Sequence, residues 1–398
     1  MRGLPRAFWI LWAGMLVNRA GAFVSPFLAL YLVNERHTSV ERAGTVVALV
    51  GFGSLGSGPI SGALADRIGR RPTLVLSTGL GATAMFALGF SRTELATGAA
   101  ALALGFFGEM YRAPAMAMVS DLVPAELRTR AFGLIYWAVN LGFSVAMVLG
   151  GTLARAGFTP LFWADAVTCA MFGILIWRAV PETLPAAPDA SGESDGGFAT
   201  VLRDPLFVAF LLLALVAECV YMQAYTTLPL AMTGSGLPAQ AYGLAMAVNG
   251  IVIVAVQPVT AAWLGRRDKT TMIAGGVGLF GLGFGLTALA TTTWEYALCV
   301  AIWTLGEILT NATAVALIAG LAPPRLRGRY NGVFGLAFSV GYLIAPLAGT
   351  RLLAHGQPVL WLSCAGACAV AAAGQLGLGP AIGRREGAAE AGATDRSV

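Results

Sequence analysis

Lysine is almost missing from this chain. Lys269 is the only one in 398 residues, so a G-x-x-x-x-G-K-[ST] phosphate loop cannot be written anywhere and ATP is not the obvious energy source. Histidine is confined to His37 and His355, both in short polar connections, which leaves no buried base for an intramembrane hydrolase. Charge of either sign is scarce at 11% of residues, against 57% hydrophobic and a mean hydropathy of +0.74, which excludes an ordinary soluble protein of this length. The five cysteines (Cys169, Cys219, Cys299, Cys364, Cys368) all fall within apolar runs. They form neither paired loop cysteines nor a Cys/His cluster, so they read as packing residues and no metal or cofactor is expected.

What is there is apolar sequence in membrane-length runs. A span needs about 20 residues to cross a hydrocarbon core of about 30 Å. Twelve are expected, at about 8–33, 42–65, 72–91, 95–120, 131–153, 159–178, 205–232, 240–264, 271–291, 295–321, 330–353 and 358–382. The first twenty-two residues imitate a signal peptide, but the apolar character resumes to Val33 and predicts an uncleaved first helix. Loops of one parity and the two ends carry eighteen basic residues, among them Arg67, Arg70, Arg71, Arg266, Arg267 and Arg327. The other loops carry five: Arg36, Arg42, Arg92, Arg155 and Arg351. This asymmetry predicts both termini in the cytoplasm, with the chain in the plasma (bacterial inner) membrane, and it makes the net charge of +5 a topology signal rather than a sign of nucleic-acid binding. Gly51-Phe52-Gly53-Ser54-Leu55-Gly56 matches G-x-G-x-x-G but lies inside a span with no preceding strand, so dinucleotide binding is discounted.

The organisation is two-fold. Residues 1–180 predict one six-helix bundle and 205–382 a second, with a Pro/Ser/Gly-rich cytoplasmic linker at 181–204 and a disordered tail from Gly383 to Val398. An offset of 199 maps Gly44 onto Gly243, Pro59 onto Pro258, Gly142 onto Gly341 and Gly150 onto Gly349. Between the second and third spans lies Gly62-Ala63-Leu64-Ala65-Asp66-Arg67-Ile68-Gly69-Arg70-Arg71, expected as a tight polar loop. The spacing G-x-L-x-D-R-x-G-R-R resembles the signature loop of the major facilitator superfamily, a family of secondary transporters built from two parallel six-helix halves. The resemblance implies an all-α membrane protein, with twelve transmembrane helices in two pseudo-symmetric six-helix bundles. It also implies a cytoplasmic gate at Gly62, Asp66, Arg67, Gly69 and Arg70. Asp66 is expected to accept hydrogen bonds from exposed amides at the start of another helix, and Arg70 to pair with Asp121. The second-half counterpart has Gly265 where Asp66 maps, so the latch is placed mainly in the first half.

Five charged residues fall near mid-membrane: Arg19, Glu109, Arg112, Glu218 and Glu307. At about 2.5 to 3.5 kcal/mol each on insertion scales, they must face a protein interior or a wet cavity. Arg19 and Glu218 differ by 199 positions and Glu109 and Glu307 by 198, so four of the five occupy equivalent places in the two halves. In the family this chain resembles, the helices that carry them line the central cavity. The competing reading is internal ion pairing, with Glu109 and Arg112 at i and i+3 able to neutralise each other. The set sums to minus one, and the odd carboxylate suggests proton exchange, with Glu218 or Glu307 as carrier and Glu109 next. Tyr111, Tyr136, Trp137, Tyr221, Met222, Tyr225 and Trp303 supply apolar surface for an amphipathic ligand, although aromatics at helical spacing are also ordinary packing or lipid-facing residues.

Gly133, Gly142, Gly150 and Gly151 follow the glycine spacing of the family's antiporter motif, yet Ala146-Met147 stands where Gly-Pro is expected. Asp165, in the sixth span, reads as structural. The resemblance therefore implies a proton-coupled secondary transporter rather than an enzyme, most like the drug:proton antiporter branch. It would work as a monomer in the bilayer and export a small amphipathic or cationic compound. Import of peptides or other zwitterions is the alternative, because Arg19 with Glu218 and Glu307 resembles the charge placement of peptide transporters. The chain lacks their E-x-x-E-R stretch. A non-transporting sensor on the same scaffold is a third reading.

Overall fold

The computed structural model describes residues 3–184, 198–264, 267–323 and 326–394. They form an all-helical protein. Eleven helices are long and apolar enough to cross a membrane. They are α1 (Arg6–Glu35), α2 (Val40–Ile68), α3 (Arg70–Phe90), α5 (Arg128–Leu153), α6 (Thr159–Ala179), α7 (Pro205–Gly234), α8 (Ala239–Leu264), α9 (Lys269–Leu286), α10 (Thr293–Leu321), α11 (Arg327–Ala354) and α12 (Gln357–Thr394). The twelfth, α4, is made of two shorter pieces, Glu94–Glu109 and Arg112–Leu122. Pro114 explains that break: it has no amide to offer the carbonyl of Met110, so the turn there loosens. Pro26 does the same in α1, which stops at Ala20 and restarts at Val24. α7 pauses at Met222.

Within the first half α1 packs on α5 and α6, α2 on α4, and α3 on α4 and α6; within the second α9 packs on α10 and α12, α8 on α10, and α7 on α11 and α12. The halves meet through α2 with α11, α5 with α8, and α1 with α7. These contacts run from the face remote from the chain ends to about the middle of the bundle, where Gly250 of α8 meets Asn140 and Ser144 of α5. A Cβ built on Gly51 would run into the backbone of Tyr342 and Leu343, and one on Gly44 into Thr350, whereas Gly58 and Gly62 have nothing within 4 Å. Gly243 lies against the Met147 carbonyl and Gly151, while Gly133, further down α5, is open. The halves therefore close at the far face and splay apart at the basic face.

Three expectations change. The ten-residue polar loop is mostly helix: α2 continues through Ile68, and Gly69 alone, at φ 109°, makes the turn into α3. The tail is not unstructured from Gly383: α12 runs on to Thr394, its four alanines and the Arg384-Arg385-Glu386 stretch favouring helix against three glycines. Of the linker, residues 185–197 lie outside the described residues, and Phe198–Leu202 forms a short helix.

Candidate functional site

The splay leaves a central cavity of about 380 Å³ lined by residues of both halves. Arg19, Glu109, Arg112, Glu218 and Glu307 all line it, with Tyr136, Tyr221, Met222 and Tyr225. The helix breaks help to explain why. Arg19 sits two residues before the gap in α1, Glu109 and Arg112 flank the gap in α4, and Glu218 lies one turn before the pause in α7. The glycine repeat contributes as well: Gly142 lets α5 approach the backbone of α1 at Arg19, and its counterpart Gly341 does so for α11 at Glu218.

The charges divide by half. Glu109 and Arg112 form an ion pair at 3.0 Å across the break in α4, and the Arg112 guanidinium also stands 5.5 Å from the ring centre of Phe338 across the cavity. Arg19 donates to the Tyr111 hydroxyl, and its guanidinium carbon lies 5.4 Å from that ring. On the other wall Glu307 is 7% exposed and is held by neutral donors, Asn249 Nδ2 at 2.7 Å and the Tyr221 hydroxyl at 3.3 Å. Tyr221 is bonded in turn to Tyr225 at 3.1 Å. Glu218 has one carboxylate oxygen buried without a hydrogen-bond partner among the described residues. Phe143, Phe210, Phe280, Phe334 and Phe338 make the remaining lining strongly aromatic.

Two of the aromatic candidates stand one layer back. Tyr111 is buried beneath Arg19, and Trp303, 1% exposed, stacks on Phe284 at 5.5 Å and supports Tyr221 edge-on at 5.6 Å. Trp137 stacks on Trp12 at 6.4 Å and does not line the cavity. Asn249 is the residue that sequence reasoning missed, although an amide inside the apolar run of α8 was a visible signal.

At the basic face Arg70 bridges Asp66 (2.8 Å) and Asp121 (3.2 Å), so the expected Arg70–Asp121 pair is present. The amide-capping role expected of Asp66 belongs instead to Glu182. Its carboxylate accepts from the Arg70 and Arg71 amides at 2.9 and 3.1 Å, at the positive end of α3. Asp66 points into solvent, 72% exposed, and Arg67 is exposed; Gly62 has open space beside it, with nothing within 4 Å of an added Cβ. In the second half Gly265 and Arg266 lie outside the described residues. There Asp204, just ahead of α7, accepts from Tyr330 (2.7 Å) and the Phe207 amide (3.3 Å) and is ion-paired with Arg385 (2.7 Å). Burial alone would raise its carboxyl, but these bonds and the Arg385 charge outweigh it and hold the group below its ordinary value.

Twelve helices in two halves, closed at one face around a charged and aromatic cavity, define a membrane transporter of the two-bundle type. Residues 11–346 match the family model described as Major Facilitator Superfamily, and the chain belongs to that family. It is 28% identical over 360 residues to the MFS-type transporter YttB of Bacillus subtilis (strain 168), covering 88% of this chain and 89% of that one. It is 24% identical to a Na(+), Li(+), K(+)/H(+) antiporter of Planococcus maritimus (83% and 86% covered), and 23% identical to the multidrug resistance protein MdtH of Enterobacter sp. (strain 638) (88% and 87% covered). Among solved structures it superimposes on a peptide transporter POT in complex with sulfate with a TM-score of 0.80 at 16% identity, covering 96% of both chains, which speaks to the fold.

Proposed function

We propose that this transporter works by alternating access, is driven by protons, and exports small amphipathic or cationic organic compounds. The observation that carries the reading is the second-half wall of the cavity: buried Glu307, bonded to the neutral Asn249 and Tyr221, and half-buried Glu218, one of whose oxygens has no hydrogen-bond partner among the described residues, both face the ligand space. Dehydration disfavours the charged form of an acid, so such groups take up a proton or a cation. Glu218 or Glu307 is the proton carrier, and Glu109, already paired, ranks behind them. The phenylalanine-rich lining suits the apolar body of a cationic ligand. Export is further supported by the names of relatives, a multidrug resistance protein and a cation/H(+) antiporter.

The positive-inside pattern supports an orientation with the basic face and both termini on the cytoplasmic side of the plasma membrane. In that orientation the cavity is open to the inside, and the Asp66–Arg70–Asp121 cluster waits to latch the halves once they close there. Import of peptides or other zwitterions, the competing reading, draws on the arginines of the first half facing the acids of the second.

The test is substrate-driven proton flux in liposomes carrying an internal pH dye, with ethidium, tetraphenylphosphonium and a dipeptide as probes. The reading expects the cations, and not the dipeptide, to move protons in the opposite direction to themselves. Proton movement in the same direction as the dipeptide, with no response to either cation, refutes export.

A further inference from the structure

The outer part of α1, Val24–Glu35, is one of the pieces of the first half, with α2 and α5, that close the far face. Phe27 meets Tyr242 of α8 edge-on at 5.4 Å and fills the notch at Gly150 of α5. Both ends of this piece are tied to α6 by carboxylates, one from each partner. Asp165 of α6, 3% exposed, accepts at 2.9 Å from the Val24 amide, which the break in α1 has left without a helical acceptor. Glu35 of α1 reaches in the other direction and accepts from the Phe158 amide (2.9 Å) and the Thr159 hydroxyl (3.2 Å), where α6 begins. Thr168, one turn beyond Asp165, wedges against Gly21 in the break itself.

Among the described residues the second half has no such arrangement. The repeat puts Cys364 in place of Asp165 and Gly234 in place of Glu35. The outer part of α7 is held, among the described residues, by neutral bonds: Gln223 to the Ala345 carbonyl, Tyr242 to the Ala224 carbonyl and Gln357 to the Ala231 carbonyl, each at 3.0 Å.

We propose that Asp165 and Glu35 form a reciprocal clamp that makes Val24–Glu35 the fixed wall of the outer seal, with Asp165 as the positioning residue. Helix α7 then supplies the moving wall, and the break in α1 sets Arg19, on the cavity side, apart from the seal beyond it. The inference rests on the transport reading, but its test needs neither substrate nor proton gradient.

Ser25, exposed on the cavity lining just inside the clamp, serves as reporter. Ser25→Cys is introduced into a chain whose native cysteines are replaced by alanine, and intact cells are treated with a sulfonated, membrane-impermeant maleimide. Asp165→Asn is isosteric and keeps an oxygen for the Val24 amide, so it removes the charge and little else. It is expected to raise outside labelling about tenfold, and Glu35→Gln, whose carboxylate is exposed, about threefold, because charge-assisted hydrogen bonds are roughly twice as strong as neutral ones. Labelling from the cytoplasmic side in ruptured cells stays at the parent rate, which separates a loosened clamp from general unfolding. If Asp165→Asn does not insert, Glu35→Gln decides. Outside labelling at the parent rate in every variant that inserts, or an equal rise from both sides, overturns the clamp.

Discussion

Glu307→Gln tests the proposed coupling most directly. The carboxylate accepts two hydrogen bonds, from Asn249 at 2.7 Å and Tyr221 at 3.3 Å. Bonds to a charged group contribute about 1.5 to 3 kcal/mol each, the shorter one near the top of that range and the longer one near the bottom. Against them stands about 2.5 to 3.5 kcal/mol for holding an acid at membrane depth. The bonds outweigh the cost by only about 1 to 2 kcal/mol, and glutamine keeps an oxygen for one of the donors. The variant should therefore unfold within a few degrees of the parent, so a transport defect cannot be put down to misfolding. Coupling is a different matter. Exchange of one proton for one monovalent cation is electroneutral, so a gradient of one pH unit, about 1.4 kcal/mol, supports at most about tenfold accumulation of the cation. In liposomes loaded with ethidium and given that gradient, the parent should approach the tenfold limit, whereas Glu307→Gln should only equilibrate the dye. If Glu307→Gln, Glu218→Gln and Glu109→Gln, made one at a time, all keep full gradient-dependent accumulation, the carboxylates of this cavity do not carry the proton.

Asp66→Asn should insert normally and lose most of its turnover, by about tenfold or more, because Arg70 keeps Asp121 but loses the outward-facing acid available to the other half; normal dye transport at normal expression would argue against a latch. Gly243→Leu places a side chain against the Met147 carbonyl and Gly151, so the far face cannot close, and cysteine accessibility should shift toward an outward-open protein. Asp204 makes an acid-sensitive tie. Its folded-state carboxyl is held low, so its stabilisation is complete above the unfolded value of about 3.9 and fades as pH falls through the lower folded value. Thermal unfolding in detergent from pH 6 downward should show the parent converging on Asp204→Asn below about pH 4, and parallel curves throughout would count against it.

How much of this was legible in the sequence depended on the range of the interaction. Hydropathy located the spans because a helix in lipid satisfies its own backbone, and the 199-residue offset paired Arg19 with Glu218 before any contact was known. The i, i+3 spacing of Glu109 and Arg112 likewise announced their ion pair. What was hidden depends on chain segments that meet only after folding. Glu182 caps α3 from more than a hundred residues away, Asn249 reaches Glu307 from another helix, and Asp204 binds Tyr330 and Arg385. The polar stretch around Asp66 misled for a local reason: its charges suggested a loop, but helix continues wherever arginine and aspartate can point into solvent, and only Gly69 had the backbone freedom to turn.

The seam at the far face has a mechanical consequence. Where α5 crosses α8 and α2 crosses α11, main chain lies directly on main chain at Gly243 and Gly51, with no long side chains between to stretch or re-pack. Such surfaces behave as flat plates: they are seated or they are parted, and a half-open width leaves bare gaps that nothing nearby can fill. Passage through this protein is therefore expected to proceed in discrete snaps rather than by gradual widening.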